Sequence, residues 1–73
     1  MLFGAHPAEI VALQPIEIHG TPMLDVVYKL DGETTPRSAR LGRESLPPVL
    51  RAGDRVLVHL LMNVTTRIEP ATT

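Results

Sequence analysis

The chain contains no cysteine, so neither a disulfide nor a thiolate metal site can brace it. It has no tryptophan, one Phe and one Tyr, which leaves almost no aromatic platform for stacking bases. An excess of one charge is missing too. Seven basic residues stand against eight acidic ones, for a formal net charge of -1. That balance excludes the overall basicity of a dedicated nucleic-acid binder and the high charge of a disordered tail. No apolar run approaches the ~20 residues that a transmembrane helix needs. Long proline-free stretches are scarce: prolines stand at 7, 15, 22, 36, 47, 48 and 70. A proline inside a helix costs about 3 kcal/mol, so a mainly helical chain is excluded as well.

What is present is aliphatic. Ten Leu, seven Val and four Ile dominate a hydrophobic fraction of 44%. With 73 residues the chain makes one domain, expected over 8–69, with an N-terminal arm at 1–7 and a frayed tail at 70–73. A domain this small hides only about 60% of the surface its unfolded chain exposes. The opening Met1-Leu2-Phe3 has no basic residue before it and no long apolar stretch after it, which is not the pattern of a secretory signal. The expectation is a complete small protein made in the cytoplasm, its final location open, a virion included.

The intervals between prolines read as short strands. Ile10, Val11 and Leu13 mark a first strand over 8–14, which Pro15 is expected to kink or end. Ile16-Glu17-Ile18-His19 alternates, and His19-Gly20-Thr21-Pro22 is a turn. Leu24, Val26, Tyr28 and Leu30 alternate with Asp25, Val27, Lys29 and Asp31, the cleanest period of two in the chain. Asp31-Gly32 predicts a type I′ hairpin turn, with residues 33–41 pairing back as an edge strand that can hold Pro36. Residues 44–51 read as an irregular connector or short helical turn, whose Leu46, Val49 and Leu50 are spaced to plug one end of a barrel. Ala52-Gly53-Asp54 turns into the strongest strand, Arg55 to Met62. There Val56, Val58, Leu60 and Met62 form one face, and Leu57, His59 and Leu61 the other. Two apolar faces predict cover on both sides, and a partner subunit is the simplest supply. Asn63-Val64-Thr65 is a turn into a last strand over 66–69.

Five or six closely spaced strands predict an all-β small barrel. Leu50-Arg51-Ala52-Gly53-Asp54-Arg55-Val56-Leu57-Val58, with the earlier Tyr28-Lys29-Leu30-Asp31-Gly32-Glu33, resembles the turn-and-strand and second hairpin of OB-fold domains. The S1-like barrels of translation factors and the TOBE-type domains of oxyanion transporters are similar in pattern. The resemblance covers residues 8–69 and implies OB-like strand order, with an SH3-like order as the alternative. It implies no binding residues.

Few constellations could carry chemistry. Arg37, Arg40, Arg43 and Arg55 can be read as a phosphate-contacting stripe, as decoration of an edge strand, or as ion-pair partners. His6, His19 and His59 lack any metal-ligand spacing, so no metal and no cofactor is expected. No Ser stands in a nucleophile elbow and no Gly-rich phosphate loop is present, so the chain is not expected to be an enzyme. The leading expectation is a structural or interaction module that assembles into a homo-oligomer or a larger multi-subunit complex, such as a shell. Met1, Leu2, Phe3, Leu57, His59 and Leu61 would form its contact surface. Two alternatives remain. One is an OB-type single-stranded nucleic-acid binder using Arg37, Arg40, Arg43 and Arg55. The other is a TOBE-like protein binding small oxyanions. No membrane partner is expected.

Overall fold

A computed structural model describes residues 2–71. It is an all-β structure built on one five-stranded antiparallel sheet: β1 (Gly4–Ile18), β2 (Thr21–Leu30), β3 (Arg37–Gly42), β4 (Arg55–Leu61) and β5 (Val64–Pro70). Spatial order is β3-β2-β1-β4-β5, so the sheet has two edges and is not closed into a barrel. The only helical piece among the described residues is a 3-10 turn, Arg43–Ser45, that opens the connector.

β1 organises the sheet. It runs 15 residues, where the sequence predicts two strands broken at Pro15. It pairs with β4 only over Gly4–Glu9, and with β2 over Ala8–Ile18. Beyond Glu9 it has a strand neighbour on one side only, which is where a strand tolerates a proline. The register slips at Val11, between Ile10 and Ala12. At this bulge the backbone of Ile10 turns to the connector. Its N–H donates to Asp54 O at 2.9 Å, and its carbonyl accepts from Gly53 N at 2.7 Å. Gly53 holds a φ of +93°, open to glycine at no steric cost. A bulge of this kind bends a strand, and so one long strand serves both halves of the sheet. Gly4–Pro7, expected in an arm, are strand residues paired with Leu57–Leu60.

Two hairpins close on two-residue turns. His19 and Gly20 have φ of +49° and +81°, and Met62 and Asn63 have +52° and +69°. Paired positive φ values match the right-handed twist of the flanking strands. The second turn sits one residue earlier than the sequence suggests. It takes Met62 off the inner face and starts β5 at Val64. Asp31-Gly32 does not make a type I′ turn, because only Gly32 has positive φ. Glu33 N–H donates to Leu30 O at 3.1 Å, and the chain then loops until Tyr28 faces Arg37. Pro36 cannot donate to a ladder, so β3 begins after it rather than at Glu33.

Strand alternation supplies the core. Ile10, Val26, Tyr28, Leu30, Val56, Val58, Leu60 and Ile68 are buried, together with Ala8 and Leu41. Leu24, Leu46 and Leu50 pack against this cluster as half-buried neighbours. Val49, expected to plug the end with them, is 66% exposed. Tyr28 takes its hydroxyl to Thr65 Oγ1 on β5 at 2.6 Å, and no buried side-chain polar atom among the described residues lacks a partner.

Candidate interaction surface

The β4–β5 hairpin ends in apolar side chains that the fold leaves outside. Leu61 is 56% exposed, Met62 56% and Val64 64%. They lie together because Leu61 faces Val64 across the two-residue turn. The segment before β1 is tied to the same place. Leu2 N–H donates to Asn63 Oδ1, and Asn63 N–H donates to Leu2 O at 3.0 Å. Phe3 therefore sits beside the hairpin tip, 54% exposed, its carbonyl accepting from His6 Nε2 at 2.7 Å.

Of the predicted contact residues, Phe3 and Leu61 are brought to this tip. Leu2 is half-buried against the core, and Met1 lies outside the described residues. Leu57 and His59, on the outward side of β4, are half-buried beside their cross-strand neighbours Pro7 and Ala5 of β1 and Glu69 and Arg67 of β5. His59 Nε2 meets Glu69 Oε1 at 2.7 Å, and this contact holds the Glu69 carboxyl below its ordinary range. Arg67 lies 3.9 Å from the other Glu69 oxygen. Met62 and Val64 were not among the expected contacts. The signal for them is Asn63, a residue that accepts left-handed φ, read one position too late as the start of the turn.

The arginines do not form a free stripe. Arg37 grips Glu33 through Nε and Nη2, each at 3.0 Å. Arg40 grips Asp25, its direct partner across β2 and β3, at 2.8 and 3.2 Å. Arg55 reaches Asp31 at 2.5 Å. In each pair the hydrogen bond to the guanidinium is the largest influence and lowers the carboxyl pKa, while the arginine's own rises. Arg43 makes no ion pair among the described residues.

A second apolar surface lies where β3 ends. The β1–β2 hairpin and the connector enclose an open groove of about 440 Å³. Ile16, Met23, Leu24, Leu46, Pro47 and Leu50 line it, with Arg43 on the rim. A shallower depression separates the edges β3 and β5, between Arg37–Arg40 and Asn63–Thr65. Among the described residues, no three His, Asp or Glu side chains converge to hold a metal ion. No helix there is long and apolar enough to cross a membrane.

Comparison with protein-family models, with curated proteins and with solved structures finds no match for this chain.

Proposed function

We propose that this chain is a non-enzymatic interaction module that assembles with copies of itself. The observation that carries the reading is the cluster Phe3, Leu61, Met62 and Val64, four large apolar side chains each more than half exposed at one end of the molecule. Contiguous apolar surface rimmed by polar groups marks interaction sites. Here the rim is His59, Arg67 and Glu69. The sheet is read further as the open form of a small barrel of OB order. β1 between β2 and β4 supports that order over the SH3-like one, as does the approach of β3 to β5 where Arg37–Arg40 face Asn63–Thr65.

Three of the four arginines that a nucleic-acid reading needs are engaged by carboxylates of the same chain. The same neutralisation weighs against a small-oxyanion site. Fluorescence polarisation with single-stranded RNA and DNA is expected to show no binding at low salt, and binding that weakens steeply with salt would favour the nucleic-acid reading. Light scattering behind a sizing column tests the proposal itself. A mass of several chains supports it, and one chain at every concentration overturns it.

A further inference from the structure

We propose that the β4–β5 hairpin tip of one copy seats in the aliphatic groove of the next, so that assembly runs head to tail. The inference rests on the self-assembly reading and specifies its geometry.

Tip and groove are separate surfaces, displaced from each other along β3. Asn63–Thr65 lie against Arg37–Arg40, the first four of the strand's six residues. The groove begins where Gly42, paired with Met23, passes into Arg43. Measured along β3 the two are roughly 10–20 Å apart. One molecule can therefore offer its tip to one neighbour while its groove receives another.

Shape and chemistry match. The tip is convex, narrow and free of charge from Leu61 to Val64. The groove is concave and lined by aliphatic and proline side chains. The exposed tip amounts to on the order of 400 Å² of apolar side chain, about half of the ~800 Å² that each partner gives to a specific contact. The polar surroundings supply the remainder, and their charges complement each other. Beside the tip stands Arg67, loosely held at 3.9 Å by a Glu69 already bound to His59. Next to lining residues come Glu17, paired with Pro22, and Glu44, which follows Arg43; both are exposed and neither is in an ion pair among the described residues. Arg43, on the same rim, brings donors for the backbone carbonyls of an incoming two-residue turn.

Two unlike surfaces make a heterologous contact, which closes into a ring or continues as a filament. Such a contact can be complemented, and an isologous one cannot. A tip variant, Met62→Asp with Val64→Glu, puts acid against the acidic rim and keeps its groove. A groove variant, Pro22→Glu with Pro48→Asp, alters two exposed rim positions and keeps its tip. Each variant alone is expected to run as a single chain in light scattering. Their equimolar mixture is expected to form a particle of two chains, twice the 8.0 kDa of one, and nothing larger. Wild-type assembly that both variants retain, or a mixture that stays monomeric, overturns the head-to-tail contact and leaves self-assembly standing. A monomeric wild-type chain overturns both. Circular dichroism checks that the variants fold. Met62→Asp alone, at a left-handed position that Asp accepts, repeats the tip arm should the double variant not fold.

Discussion

Tyr28 joins two roles in one side chain. Its ring is buried in the core, and its hydroxyl reaches from β2 to Thr65 on the far edge strand. Tyr28→Phe keeps the ring and removes the link, and is expected to cost about 0.5–1.5 kcal/mol in urea unfolding. Ile10→Ala leaves a hole at the bulge where β1 meets the connector, and is expected to cost about 2–5 kcal/mol. That is a large share of what a domain this small can hold. The carboxyls of Asp25, Asp31, Glu33 and Glu69 are all more acidic folded than unfolded, each through a hydrogen bond to a basic side chain. The folded state therefore binds fewer protons than the unfolded one in this range. Its contribution is complete above the unfolded values of 3.8 and 4.5, and is lost as pH falls through the lower folded values. The urea midpoint should drop on acidification below about 4.5, and Asp25→Asn should flatten that drop. A midpoint indifferent to acid would show that these pairs add nothing. Exposed pairs of this kind are also screened, so the drop should shrink at high salt.

At the scale of the element, alternation was legible and local chemistry at the ends of strands was not. Val26, Tyr28 and Leu30 face inward as the period of two requires, as do Val56, Val58 and Leu60. Met62 extends the same pattern by one step too many, because the chain has already reversed. Periodicity carries no mark of where a strand stops. Pro15 misleads in the opposite sense, since its cost depends on whether the strand has a neighbour on each side, a fact of sheet order rather than of local sequence. The β3 boundary was hidden for a third reason. The Glu33–Arg37 grip spans a loop that no period describes. The Met62-Asn63 turn gives a direct check on the hairpin. Met62 holds left-handed φ at a steric cost of about 1–2 kcal/mol that glycine avoids. Met62→Gly is expected to raise the thermal midpoint of the isolated chain, and a fall would place the turn elsewhere.

At the scale of the molecule, the apolar surface expected on the whole outward side of β4 is concentrated at its end. Leu57 and His59 are half-covered by neighbouring strands of the same chain, and Leu61 hands the exposed surface on to Met62 and Val64. Burial depends on what lies across the sheet, so the sequence could mark Leu57 and Leu61 alike and not distinguish them. Phe3 joins them through Leu2 and Asn63, a contact 61 residues apart in the chain that no spacing argument reaches. The arginines show the same limit. Their places in the chain were visible, but the partners Glu33, Asp25 and Asp31 of Arg37, Arg40 and Arg55 were assigned by strand register and loop closure.

The most direct test of self-association through this end of the molecule is the mass of the full chain by light scattering, measured from micromolar to near-millimolar concentration and repeated in high salt. Contact led by aliphatic side chains predicts a mass that climbs above 8.0 kDa with concentration and stays above it when salt is raised. A mass fixed at one chain throughout would contradict the account.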